Sequence, residues 1–144
     1  MALSNGEEIS YQSIASDCGV SPNSIKNYIQ VLEDTLVAFQ LKAYTKTRKR
    51  KAISRSKLYF FDIGVTNSLA KRGEIMEGSE LFGKAFEHFI LLEVRAFLSY
   101  SRKNIEMCYW RSTSRFEVDL ILGNHWGVEI KSAASIQDKH LKGI

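Results

Sequence analysis

The sequence is poor in the residues that build small cross-linked folds. Cysteine occurs at Cys18 and Cys108, and proline only at Pro22. Two cysteines so far apart predict neither a disulfide framework nor a metal cluster, and they fit a reducing cytosol. No segment approaches the roughly 20 apolar residues that a membrane-spanning helix needs. The first residues also lack the basic and apolar regions of a signal peptide. We therefore expect a cytoplasmic protein with no membrane partner.

The sequence also has no G-x-x-x-x-G-K-[ST] motif, so it does not predict a P-loop nucleotide site. Its hydrophobic content of 44% and charged content of 25% are ordinary for a globular protein. A length of 144 residues suffices for one ordinary domain or two small ones that share a core.

The net charge of +4 arises in one segment. Residues 1–40 are acidic, and acids and bases balance from residue 58 onward. Residues 41–57 contain no acid. Their cations are Lys42, Lys46, Arg48, Lys49, Arg50, Lys51, Arg55 and Lys57. Such a segment could neutralise several phosphates of a nucleic acid, and the alternative is a solvated loop.

The first part of the chain predicts two helices joined by a tight turn. The first covers residues 11–18 and ends at Gly19, which suits a left-handed C-cap. The second covers residues 22–34, because Ser21 is a favoured N-cap and proline is favoured at the first helical position. Apolar residues recur along the second helix at helical spacing: Ile25, Tyr28, Ile29 and Leu32.

Two strand-like runs, residues 36–41 and 57–61, flank the basic segment. Helix, helix, strand, basic loop, strand is the order of a winged helix-turn-helix, with residues 42–57 as its wing. DNA is the expected partner. The candidate DNA-binding residues are Lys26, Lys46, Arg48, Lys49, Arg50, Lys51 and Arg55. Glu33 and Asp34 weaken the second helix as a reader of bases, and winged helices also serve as protein-interaction modules.

The rest of the chain predicts a short helix through Ala70 that Asp62 could cap, then a loop and a long helix over residues 80–100. His88, within the long helix, is expected to lie at the boundary between core and surface, and the alternative is a catalytic base. Residues 105–110 predict a strand. The apolar face of the long helix would consist of Phe82, Ala85, Phe86, Phe89, Ile90 and Phe97.

A hairpin with an acidic pair and a lysine follows that strand. Residues 117–122 and 126–131 alternate apolar and polar side chains around the loop Gly123–His125. If this loop holds three residues, Asp119 lies opposite Glu129 and Glu117 opposite Lys131, all on one face. The alternative for Glu117 and Lys131 is a cross-strand ion pair on a solvated surface.

This pattern resembles the core of the PD-(D/E)XK nuclease superfamily, in which a helix precedes a three-stranded meander. The resemblance implies Mg²⁺-dependent phosphodiester hydrolysis. It makes Asp119 and Glu129 both metal ligands and catalytic residues, and Lys131 a catalytic residue. Glu87 on the long helix would complete the metal site, with Glu93 as its rival.

Several segments, in order, resemble the C-terminal module of prokaryotic AAA-type ATPases, a domain of unknown function. These segments are residues 58–65, 81–87, 109–111, 117–119 and 128–132. In that family a P-loop ATPase domain comes first, and a winged helix and a PD-(D/E)XK-like domain follow. The resemblance implies that this chain is truncated, that the N-terminal ATPase domain is missing, and that homo-oligomers would fit.

We therefore predict an α+β protein with three regions. Residues 1–61 form a winged helix-turn-helix, and residues 62–79 form a connecting helix and loop. Residues 80–144 form an incomplete PD-(D/E)XK nuclease-like core of helix, three-stranded meander and helix. The leading hypothesis is a DNA-binding fragment of an AAA-type ATPase with a Mg²⁺-dependent nuclease site. The alternatives are a non-catalytic binding or assembly module and a winged-helix regulator.

Overall fold

The structure is a computed structural model that describes residues 1–46, 54–114 and 116–133. Its helices and strands make it a mixed α+β protein. The helices are α1 (Tyr11–Cys18), α2 (Pro22–Asp34), α3 (Ile63–Leu69) and α4 (Glu80–Tyr100), after a short 3-10 turn at Ala2–Ser4. The strands are β1 (Ala38–Ala43), β2 (Lys57–Phe60), β3 (Met107–Arg111), β4 (Glu117–Leu122) and β5 (Trp126–Val128).

The strands are hydrogen-bonded in the order β2-β1-β3-β4-β5. Only the β1–β3 pair is parallel among the described strands, so the sheet is mixed. The chain divides into two compact units. One contains residues 1–41 and 55–73, and the other contains residues 42–54 and 74–144.

In the first unit, local sequence signals set the limits of α1 and α2 as predicted. Gly19 ends α1 with a φ of 64°, and the Ser21 hydroxyl oxygen accepts the Ser24 N–H at the start of α2. Ile25 and Ile29 are buried, whereas Tyr28 is exposed, which the apolar spacing did not predict. These helices and the β1–β2 hairpin share a buried core of Ile9, Ala15, Ile25, Ile29, Ala38 and Leu58.

The strand β1 begins two residues later than predicted because a turn intervenes after α2. Leu36 has a φ of 60° and is exposed, so it belongs to this turn. Glu33 then joins α2 to β1: its two carboxylate oxygens accept the backbone N–H of Gln40 at 3.1 Å and the Gln40 side-chain amide at 2.8 Å. Glu33 thus has a structural role within this unit.

The N-terminal segment covers the outer edge of β2. Gly6 and Ile9 donate backbone hydrogen bonds to Leu58 and Ser56, and the Asn5 side chain accepts the N–H of Phe60. These bonds satisfy backbone groups that an edge strand would otherwise present to other chains.

The predicted wing is shorter than residues 42–57. Lys42 and Ala43 belong to β1 and pair with β3. Lys57 lies within β2 and is buried, because its strand is covered by the N-terminal segment. Residues 47–53, which include Arg48, Lys49, Arg50 and Lys51, lie outside the described residues. The winged-helix assignment stays a prediction.

In the second unit, α4 has the predicted limits but buries a different face. Phe89 and Phe97 are exposed, and His88, Leu91 and Leu98 are buried instead. Adjacent helical residues differ by about 100° in direction. When apolar residues occupy much of the helix circumference, their spacing alone does not indicate which side packs against the rest of the protein. His88, predicted at the boundary, is fully buried at 1% exposure. No described helix is both long and apolar enough to cross a bilayer.

Glu33→Ala tests the link between α2 and β1. Loss of both acceptors should lower the free energy of unfolding by about 1–3 kcal/mol, since hydrogen bonds to charged groups contribute this much. Urea denaturation followed by circular dichroism measures the change. Asp34→Ala is the matched control, because Asp34 is exposed and its hydrogen bond, from Gln30 at 2.9 Å, lies within α2. Equal losses in the two variants would contradict the assigned role of Glu33.

Candidate functional site

The hairpin of β4 and β5 has the predicted register. Leu120 pairs with Val128 and Leu122 with Trp126, which leaves a three-residue loop between the strands. Gly123 begins this loop with a φ of 61°, a conformation that favours glycine. The same register, continued by one residue, brings Asp119 next to Glu129.

A register shift between β3 and β4 lies at Asp119. Cys108 pairs with Ile121 and Trp110 with Val118, so Tyr109 faces two residues of β4, Asp119 and Leu120. Such β-bulges bend a strand, redirect its side chains and are common beside active sites. Asp119 is only 7% exposed, although its strand alternation predicted a polar surface.

After Val128, the Asp119 side chain takes the place of the backbone hydrogen bonds expected between β4 and a longer β5. The sequence predicted a second arm through residue 131, but β5 ends at Val128. The N–H of Ile130 donates to the Asp119 Oδ2 atom at 2.8 Å. The carboxylate of Asp119 is therefore the acceptor that holds the segment carrying Glu129 and Lys131 against β4.

Lys131 lies between the two carboxylates. Its Nζ atom is 2.6 Å from Glu129 Oε1 and 3.3 Å from Asp119 Oδ2. The alternative of an ion pair between Glu117 and Lys131 is wrong, because Lys131 has these two partners while Glu117 pairs with Arg111 at 3.7 Å. Arg111 and Glu117 are register partners across β3 and β4, which explains this choice.

The charge of Lys131 is stabilised by this arrangement. Burial by itself would lower the pKa of Lys131, but the hydrogen bond to Glu129 and the charges of Asp119 and Glu129 outweigh it. The pKa of Lys131 is therefore raised above its ordinary value. The side chain is an ammonium group throughout the neutral range.

One carboxylate oxygen of the cluster is buried without a partner. Glu129 Oε2 accepts no hydrogen bond from any described residue, and the Glu129 side chain is 13% exposed. A buried carboxylate oxygen without a donor is costly unless something else binds it. Two carboxylates with an available oxygen suit Mg²⁺, which takes oxygen ligands and keeps several waters. Asp119 and Glu129 thus fit a magnesium ion, whose chemistry would be to activate a water and neutralise phosphate charge.

The third predicted ligand is less clearly placed. Glu87 lies half-buried on α4, and Glu93 is exposed on the same helix. Gly83, one turn before Glu87, lies near the Ser132 hydroxyl, since a Cβ built there would be 3.7 Å from it. Residues four apart share a helix face, so Glu87 is on the face of α4 that approaches this segment. Among the described residues, however, no three His, Cys, Asp or Glu side chains form a group suited to a metal.

The predicted DNA-binding cations are only partly described. Lys26 on α2 is exposed, as are Lys46 and Arg55 at the two limits of the basic segment. The cations between them lie outside the described residues. Lys26 and Arg55 belong to the first unit, and Lys46 belongs to the second.

The first unit contains a recess of about 160 Å³ that the sequence did not predict. Its lining residues include Glu7, Glu8 and Asp17. These acids belong to the N-terminal segment and α1. The excess of acids over bases in residues 1–40 was the sequence feature that could have indicated an acidic surface here.

Comparisons with known proteins place the chain among domains without an assigned role. Residues 1–75 match the family model described as "Domain of unknown function (DUF8612)". This match covers more than half of the 144 residues, and the chain belongs to that family. Residues 82–144 match a second model, "Domain of unknown function (DUF4143)".

Two curated relatives are uncharacterized proteins of Mycobacterium tuberculosis (strain H37Rv) and Mycobacterium bovis. Each is 25% identical to this chain over 140 residues, which is 94% of this chain and 31% of the relative. The chain thus spans about a third of the length of the curated relatives that it matches. No solved structure matches it.

Asp119→Ala tests the structural role of the buried carboxylate without metal. It leaves the Ile130 N–H without its acceptor, so the free energy of unfolding should fall by about 1–3 kcal/mol. Urea denaturation in the presence of a chelator measures this. Glu117→Ala is the control on the same strand, and it should cost less than about 1 kcal/mol because its pair with Arg111 is partly exposed. A smaller loss in Asp119→Ala than in Glu117→Ala would contradict this role.

Proposed function

We propose that this chain is a nucleic-acid-binding module with a Mg²⁺-dependent phosphodiesterase site formed by Asp119, Glu129 and Lys131. The observation that carries the proposal is the buried carboxylate pair with Lys131 between its members. Paired carboxylates can bind the metal ion that activates a water, and an adjacent cation can stabilise the charge that develops on a phosphate. The hydrogen bond from the Ile130 N–H holds the segment that carries Glu129 and Lys131 against Asp119.

In this proposal each residue has a separate task. Asp119 and Glu129 bind the magnesium ion, which supplies activated water and neutralises negative charge when it is bound. Lys131 places an ammonium group where a phosphate oxygen gains charge, which is worth most in a partly buried site. Glu87 remains a candidate third ligand on the neighbouring helix α4.

The proposed substrate is DNA. A phosphodiesterase must hold a polyanion, and the basic segment of residues 41–57 supplies cations without acids. Lys46 and Arg55 are exposed at its two limits. The resemblance to AAA-type ATPase modules and the threefold greater length of the relatives support a setting in which an ATPase domain acts with this module.

Cleavage of labelled single- and double-stranded DNA in Mg²⁺ or Mn²⁺ tests the catalytic half of the proposal. Asp119→Asn and Glu129→Gln should abolish cleavage, because they remove the anionic ligands. Lys131→Met should lower the rate by about 10²–10³, the usual effect of losing one charge-stabilising donor. Glu117→Gln, a change to another acid of β4, should leave the rate close to that of the unchanged chain. If the Asp119→Asn variant still cleaves DNA, the cleavage comes from a contaminant or from another site.

The salt dependence of DNA binding tests the proposal that this chain binds nucleic acid. Replacing Lys46 and Arg55 together by alanine should reduce the slope of log K against log salt by about 0.9 for each phosphate that is no longer neutralised. Fluorescence anisotropy with a labelled duplex gives this slope. Lys103→Ala is the control, because Lys103 is an exposed cation that stacks over Phe97 instead. An equal change in the control would indicate non-specific attraction.

A non-catalytic DNA-binding or assembly module is the second candidate. The absence of a three-ligand group among the described residues favours it. Salt-dependent DNA binding without cleavage, both in this chain and in the longer protein with its ATPase domain, would establish this candidate over the first.

A further inference from the structure

We propose that Lys131 is a displaceable internal cation, so that a divalent metal ion binds Asp119 and Glu129 only by moving the Lys131 ammonium group away from them. This inference rests on the proposed function, because it concerns the same metal site. It adds a regulatory property: the metal-free site is neutralised by its own lysine, and metal affinity depends on how tightly that lysine is held.

The distances place the lysine where a metal would compete. Lys131 Nζ contacts one oxygen of each carboxylate, at 2.6 Å from Glu129 and 3.3 Å from Asp119. A cation that bridged the same two side chains would need at least part of this position. The ammonium group and a divalent ion repel each other, so both cannot occupy it.

The remaining contacts indicate how the exchange can proceed. Asp119 Oδ2 also accepts the Ile130 N–H, which keeps this carboxylate in place when Lys131 leaves. Glu129 Oε2 has no partner among the described residues and is free to bind an incoming ion. The Lys131 side chain is 37% exposed, so a route outward into solvent exists for its long flexible stem.

A fixed structural ion pair is the contrary interpretation. In that case Lys131 would stay on the carboxylates, and the unchanged chain would bind no metal ion through Asp119 and Glu129. The two interpretations differ in whether the unchanged chain binds a metal ion at these carboxylates, and activity need not be measured to separate them.

Mn²⁺ binding by the complete 144-residue chain tests the exchange. The loss of the free Mn²⁺ electron paramagnetic resonance signal gives the dissociation constant directly. Lys131→Met removes the competing charge at similar length, and we expect Mn²⁺ to bind about tenfold tighter or more, that is, by about 1.4 kcal/mol. Lys131→Arg keeps the charge and should stay within about threefold of the unchanged chain. The Asp119→Asn, Glu129→Gln double variant should lose the binding.

The outcomes separate this inference from the function on which it rests. If the unchanged chain binds Mn²⁺ through Asp119 and Glu129 but Lys131→Met binds no tighter, the site stands and the exchange is wrong. If neither binds Mn²⁺, the metal-dependent function fails together with the exchange.

A second measurement on the unchanged chain covers the case in which Lys131→Met does not fold. An amine-reactive ester labels neutral lysine side chains, and mass spectrometry of the peptides gives the rate for each lysine. Mg²⁺ should increase the labelling of Lys131, because displacement moves its amine away from the carboxylates and further into solvent. Lys84, which pairs with Glu80 on the surface of α4, should keep its rate. Unchanged or slower labelling of Lys131 in saturating Mg²⁺ would overturn the exchange.

Discussion

Placing two carboxylates side by side away from water requires a positive charge between them, and this requirement organises the second unit. Burying two carboxylate charges together without a cation would be unfavourable, because desolvation and mutual repulsion both cost free energy. Lys131 supplies the charge in the metal-free protein. The bulge, the loop that sets the hairpin register and the Ile130 hydrogen bond all serve to bring these groups to one place.

Features that depend on neighbouring residues were predictable from the sequence. Ser21, Gly19 and Asp62 act on the helix ends next to them, so their caps follow from local rules. The hairpin register likewise follows from the length of one loop and from side-chain alternation. The association of Asp119 with Glu129 was predictable for the same reason.

Features that depend on distant contacts were not predictable. The choice of His88 over Phe89 as a buried residue depends on what packs against α4. The burial of Lys57 depends on a segment near the N-terminus, and the partner of Lys131 depends on a bulge opposite Tyr109. The periodicity of one segment carries no information about such partners. Glu33 is a further example. Its negative charge suggested weaker DNA binding by α2, but in the structure its carboxylate accepts hydrogen bonds that join α2 to β1.

The strand-like segment at residues 5–9 has a practical consequence for the choice of expression boundaries. Because it occupies the hydrogen-bonding groups along one side of β2, it is part of the folded unit. A fragment cut at the start of α1 would leave the backbone of β2 open to pairing with other chains, which favours aggregation. Expression boundaries and affinity tags therefore belong upstream of Asn5.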